Sequence, residues 1–203
     1  MADALAAAAL ARAAGVPAVA VRDGLRGVVP PPHRLARVAE IDGVSWVDDS
    51  KATNPHAADA ALRAFEHVVW VAGGLAKGAG PEDFDDLVRR HAARLRGAVL
   101  LGQDRELVAQ ALRRHAPDLP VLDVDVAQTG QVSPNALMER AVAAAASLAR
   151  PGDTVLLAPA CASMDRFASY AERGEAFTAA VRSRAAGPAA GPAAGPAADP
   201  GEG

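Results

Sequence analysis

The run HVVWVAGG, residues 67–74, decides how the chain folds. Val68 to Ala72 are apolar without alternation, and two glycines close the run. A strand with one wet face alternates polar and apolar residues, whereas a strand covered on both faces does not. Working outward, similar runs recur at VSWVD (44–48), AVLLG (98–102), VLDVDV (121–126) and DTVLLAPA (153–160). Helical patterns separate them at 55–65, 81–95, 103–115, 135–148 and 166–183. The helix at 81–95 opens with Glu82, Asp83, Asp85 and Asp86 and ends basic, the order its dipole favours. Leu107, Val108 and Leu112 share one face of the next. Alternating helices and apolar strands predict an α/β domain over residues 31–184: a Rossmann-like, doubly wound, mostly parallel sheet.

The flanks read differently. Residues 4–14 predict a helix closed by Gly15 and Pro17, with a second short helix near 20–26, so 1–30 form a helical segment and linker. Pro30-Pro31-Pro32 marks the boundary as an extended spacer. Residues 185–203 repeat a Gly-Pro-Ala-Ala unit with nothing to bury, and a disordered tail is expected there.

Composition excludes several function classes. Net charge is −3 over 203 residues, so no global basic field points to nucleic acid. The single cysteine, Cys161, excludes an internal disulfide framework and a cysteine-based zinc cage, and fits a reducing cytoplasm. The most apolar stretch, 4–21, is broken by Arg12 and Pro17, and Met1-Ala2-Asp3 lacks the basic start of a secretory signal, so no membrane span or leader is expected. Only two of the 21 basic residues are lysines, Lys51 and Lys77. A lysine kept against such an arginine bias points to a need for a compact ammonium rather than a guanidinium fork.

Ligands of such sheets bind beyond the carboxyl ends of the strands. Three strand ends carry unusual polar sequence: VDDSKATN (47–54), GGLAKGAG (73–80) and APACASMDRF (158–167), and both lysines fall in these loops. GGLAKGAG is neither a P-loop, which needs Gly-Lys-Ser/Thr, nor a Gly-x-Gly-x-x-Gly dinucleotide turn. Thr53 or Asn54 would cap the helix starting at Pro55. Cys161 and Ser163 stand between a strand and a helix, where backbone N–H groups gather an anion, but no Gly-x-Ser-x-Gly elbow is present and Cys161 reads as a small buried hydrophobe. The five histidines lack metal-ligand spacing and read as surface or cap residues, and no metal site is expected on this chain.

Together DALAAAALARAAGVP, the proline-flanked His33-Arg34, VDDSKATNPHA, VVWVAGGLAKGA and GDTVLLAPACASMDRFASYAERGEAF resemble the carboxy-terminal domain of the Mur ligases over about residues 3–184, in the D-glutamate-adding branch. The resemblance implies an ATP-dependent peptidoglycan ligase that phosphorylates the carboxylate of UDP-N-acetylmuramoyl-L-alanine and lets the amine of D-glutamate displace the phosphate. It implies that Lys51 and Lys77 act in catalysis; that Thr53, Lys77, Ser163, Met164 (through its N–H) and Tyr170 meet D-glutamate; and that Arg34 and Asp49 meet ATP. It also implies a monomeric, cytoplasmic ligase with two further domains, the central one holding the P-loop and the Mg2+ ligands. On that reading residues 1–30 are a remnant of the central domain with an apolar face left exposed, and the chain alone is inactive. The alternatives are a free-standing, non-catalytic D-glutamate- or nucleotide-binding module, or another Mur-type ligase such as folylpolyglutamate synthase, against which DDSKATNPHA argues.

Overall fold

The computed structural model describes residues 2–28, 31–125 and 132–187. Positions 188–203 of the expected tail, Val126 of the strand expected at 121–126, and Pro30 lie outside them. The chain forms two compact units, residues 1–32 and 33–203. In the first, α1 (Ala2–Ala13) packs on α2 (Ala18–Arg26). Gly15 ends α1 at φ +83, with its N–H on the Arg12 carbonyl and the Val16 N–H on the Ala11 carbonyl, a Schellman closure that glycine permits. Leu5, Leu10, Val19 and Val28 of this unit are exposed.

The second unit holds a six-stranded sheet. Its strands are β1 (Ala36–Ile41), β2 (Val44–Asp48), β3 (Val68–Ala72), β4 (Leu95–Leu100), β5 (Val121–Asp123) and β6 (Thr154–Leu157), in the order β1-β2-β6-β3-β4-β5. All neighbours pair in parallel except β1 with β2. The helices are α3 (Pro55–Leu62), α4 (Pro81–His91), α5 (Arg105–His115), α6 (Pro134–Leu148) and α7 (Tyr170–Ala185). A mostly parallel α/β sheet is thus present, and β6 inserts between β2 and β3.

Strand β1 was not expected from the sequence, and its signal is local. Asp42 and Gly43 take φ +53 and +75 in the two-residue turn that joins it to β2, the Asp-Gly pairing that right-twisted hairpins require. The hairpin has a consequence for the site. Because β1 runs antiparallel, Ala36 pairs with Asp48, so the residues entering β1 lie at the carboxyl end of β2. Other boundaries also moved. The expected helix at 81–95 stops at His91, followed by a 3-10 turn at Ala92–Arg94, and the one expected from 166 begins at Tyr170.

The buried strands alternate between two cores. Val47, Trp70, Ala72, Ala98, Leu100 and Leu156 join α3, α4 and α5 on one face; Trp46, Val69, Val71, Val99, Val155 and Leu157 join α6 and α7 on the other. Alanines fill much of the core, and its larger side chains carry most of the transfer energy, about 1.5–3 kcal/mol for each fully buried leucine or phenylalanine. Trp70 reaches full burial with its indole N–H donating to the Ala158 carbonyl at 2.7 Å.

One histidine departs from the surface reading. His91 is buried, and its Nε2–H donates to Asp59 Oδ1 at 2.9 Å. Burial alone would push the Asp59 carboxyl up, but His91, Arg63 and Arg90 together outweigh it and hold it below 3.8. A depressed carboxyl contributes stability that is present above its unfolded value and lost as pH falls through the folded one. Urea midpoints of wild type and Asp59→Asn, measured from pH 6 to 3, should therefore differ most above pH ~4 and converge below it. A gap that stays constant across that range would refute the ion-pair account.

Candidate active site

The site is built at the carboxyl ends of β2, β6, β3 and β4, and main-chain hydrogen bonds knit its loops together. Gly73 N–H donates to the Pro159 carbonyl; Leu75 and Ala162 exchange both N–H···O bonds at 2.9 Å; Ala160 N–H donates to the Ala52 carbonyl. Such close approach demands glycine. A Cβ on Gly74 would lie 2.2 Å from the Ala162 oxygen, and one on Gly102 would lie 2.4 Å from the Gly74 Cα. The backbone is also strained here. Five non-glycine residues among those described have φ between +45 and +60; His33, Leu35, Lys77 and Ala160 lie at this end of the sheet, and the fifth is Asp42 in the hairpin turn. Left-handed non-glycine residues cost roughly 1–2 kcal/mol each, and they concentrate where function over-determines the backbone.

In the first loop, Asp49 is buried and accepts the Leu35 N–H at 3.2 Å. Its carboxyl is held above the usual range, mainly by burial and secondarily by Asp48; the Leu35 N–H and the Arg34 charge oppose this. Arg34 is exposed. Asp48 accepts the Ser50 N–H through Oδ1 and the His33 Nδ1–H through Oδ2, at 2.8 and 2.6 Å. Gly174 of α7 makes room for that pair, since a Cβ there would sit 2.2 Å from His33 Nδ1. Lys51 donates its backbone N–H to the His33 carbonyl and lays its Nζ 3.9 Å from the centre of the Tyr170 ring. The Ser50 hydroxyl donates to the Tyr170 carbonyl. Asn54, not Thr53, caps α3, accepting the Ala57 N–H; half-buried Thr53 is left with its side chain free of that duty.

The second and third loops meet through the Leu75–Ala162 bridge. Lys77 is exposed at φ +50, and Ser163, one residue past Ala162, is 3% exposed. The Ser163 carbonyl accepts the Arg166 and Phe167 N–H groups in a turn, so Ser163 does not stand at a helix N-terminus; α7 starts at Tyr170, capped by Ser169. Met164 is 61% exposed, and no acceptor among the described residues meets its N–H. Cys161 is fully buried, and its thiol is pushed up to about 12, chiefly by burial, which leaves it unionised.

Neither lysine forms an ion pair among the described residues, while ten arginines do. The site therefore brings Lys51 and Tyr170 into contact, sets Arg34 beside Asp49, and joins the Lys77 loop to the Ser163 loop. The absence of an ion pair at either lysine among the described residues suits a small acidic ligand. Among the described residues no three His, Cys, Asp or Glu side chains are grouped as a metal site would need.

The sequence reading missed Arg173. It is fully buried, donating from Nε to the Ser50 hydroxyl and from Nη2 to the Ser50 and Cys161 carbonyls at 3.0–3.1 Å. It thereby fastens α7 to the first and third loops. The signal was available: Arg173 shares the helical stripe of Ala176, Phe177, Ala180 and Val181, where a charge on an apolar face needs a reason.

A mostly parallel α/β sheet with a polar strand-end site is an architecture that many families share, and the comparisons with known proteins give the one to which this chain belongs. The family model for the Mur ligase, glutamate ligase domain, matches residues 33–161, and the chain belongs to that family. It is 61% identical over 186 residues to the UDP-N-acetylmuramoylalanine--D-glutamate ligase of Streptomyces coelicolor, covering 92% of this chain and 38% of that protein. The ligase of the same name from Thermobifida fusca is 60% identical over 185 residues, with coverages of 91% and 38%. A pseudomurein peptide ligase type C from Methanothermus fervidus shares the fold at a TM-score of 0.56 and 18% identity, over 76% of this chain and 31% of that one. The chain thus spans 38% of the length of the first of these curated relatives.

Proposed function

We propose that this chain is the D-glutamate-receiving part of an ATP-dependent ligase that adds D-glutamate to UDP-N-acetylmuramoyl-L-alanine. The observation that carries the reading is the chain's only two lysines, neither in an ion pair among the described residues, one touching Tyr170 and the other on the loop bridged to that of Ser163. D-glutamate brings two carboxylates, and charged donors meeting them are worth roughly 1.5–3 kcal/mol apiece. In the reaction its amine attacks the carbonyl carbon of an acyl phosphate, the C–O bond to phosphate breaks, and phosphate leaves with the electron pair. Lys51, Thr53, Lys77, Ser163 and the Met164 N–H hold the amino acid and the departing phosphate, and Tyr170 packs against them. Arg34 offers its fork to ATP phosphates, with Asp49 accepting from the nucleotide.

The 203 residues contain no Gly-x-x-x-x-Gly-Lys-Ser/Thr cradle. ATP and its Mg2+ are therefore held largely by groups outside this segment, and the segment alone binds without turning over. Residues 1–30 would lead from that part into the glutamate domain. Calorimetric titration of the chain with D-glutamate, with L-glutamate as control, tests the reading. Wild type should prefer the D enantiomer, and Lys77→Ala should weaken binding about 10- to 100-fold. Equal affinities for Lys77→Ala and wild type would sink the assignment, while D-glutamate binding without activity in a reconstituted ligase would favour the free-standing module.

A further inference from the structure

We propose that Asp104 is the positioning residue for Lys77, and that its carboxylate belongs functionally to the Lys77 loop rather than to its own helix. Asp104 stands at the position that caps α5, where a carboxylate ordinarily accepts helix N–H groups. It makes no such bond. Its Oδ2 instead accepts the Ala76 N–H at 2.8 Å, and its own N–H donates to the Gly74 carbonyl at 2.8 Å. These two bonds grip the glycine-rich loop on either side of Leu75, which the Ala162 bridge holds from the opposite side. Lys77 follows at once, at φ +50, a conformation that a lysine does not hold without outside constraint.

The neighbouring carboxylates are engaged in the same way. Asp165 Oδ2 accepts the Gln103 N–H, and Asp125 Oδ2 accepts the Gly102 N–H and the Arg166 Nε–H. The turn that carries Asp104 is thus itself fixed. A cap diverted from its helix to the loop before an unpaired ammonium is a device for aiming that ammonium.

The proposal rests on Lys77 as a D-glutamate contact, and the test separates the two ideas. In the 15N-labelled 203-residue chain, Asp104→Ala should shift and loosen the amides of Ala76, Lys77 and Gly78 while leaving Val69–Ala72 unmoved, and should raise the D-glutamate dissociation constant about 10-fold. Asp104→Asn keeps an oxygen for the Ala76 N–H and should stay within about 3-fold of wild type. Asp104→Ser, too short to reach the loop, repeats the disruption if the alanine variant does not fold. In a Lys77→Ala background the Asp104→Ala penalty should vanish. Loop amides that do not move, or a binding penalty that persists undiminished without Lys77, would overturn the positioning role. If Lys77→Ala alone leaves D-glutamate binding intact, the site reading fails, and the loop amides still decide whether Asp104 holds the loop.

Discussion

Arg173→Met should destabilise the glutamate domain by about 3–5 kcal/mol, the scale of breaking a buried charged network, and lower its melting temperature by roughly 6–20 °C. Two effects oppose each other. Burial drives the guanidinium pKa down to about 10, so the cation is held at a desolvation cost that a neutral side chain escapes. Against that, methionine leaves the Ser50 hydroxyl and the Ser50 and Cys161 carbonyls without their donor, in a region sealed from water. Each orphaned acceptor costs about 1–3 kcal/mol, so three of them outweigh the relief. The loss is also local, since α7 is released from both loops at once. Arg173→Lys should recover little, because one compact ammonium cannot reproduce the planar fork that spans two carbonyls and a hydroxyl. Thermal melts of the three proteins decide the matter; a methionine variant as stable as wild type would show that the desolvation cost dominates.

Lys51→Ala should leave stability nearly untouched and abolish most catalysis. Its contact with Tyr170 is partly exposed and worth about 0.5–1 kcal/mol to the fold. In a ligase reconstituted by joining this chain to the remaining part of the Streptomyces coelicolor relative, kcat should fall about 10²–10³-fold, the scale of losing one charge aimed at developing negative charge. Lys51→Arg should regain less than about a tenth of the activity, since a guanidinium stacks on Tyr170 but presents a wider fork to the anion. A kcat for Lys51→Ala within threefold of wild type would remove Lys51 from the chemistry and leave it as a packing partner of Tyr170.

The readable parts of the fold share a property. Strands β3 and β6, and β4 from Gly97 onward, are buried on both faces, so their sequences carry a continuous apolar signal that needs no partner to interpret. Strand β1 has exposed positions and is covered on one side, and its run ARVAEI does not announce itself. Only the Asp42-Gly43 turn marks it, through a backbone conformation rather than through hydrophobicity. The site divides in the same way. Lys51 and Lys77 stood out because composition made lysine rare. Arg173 and Asp104 did not, because arginine and aspartate are common here and what distinguishes these two is the partner each one meets. Those partners lie 28 residues away for Asp104 and 123 for the Arg173–Ser50 bond, separations at which no local pattern operates. The unexpected start of α7 has a related cause. Ser163 closes a turn with Arg166 and Phe167 that imitates a helix opening in sequence but stops short of one in structure.

Cys161 supplies no chemistry to this site, and that inertness gives the molecule a clock. The chain's one thiol lies in the loop that Arg173 and Leu75 hold shut, wholly covered and un-ionised at neutral pH. A reagent that alkylates thiolates can reach it only during moments when that loop parts from its neighbours. Each alkylation leaves a permanent mass increment, and the rate at which increments accumulate follows the open population of this loop without any label having been introduced.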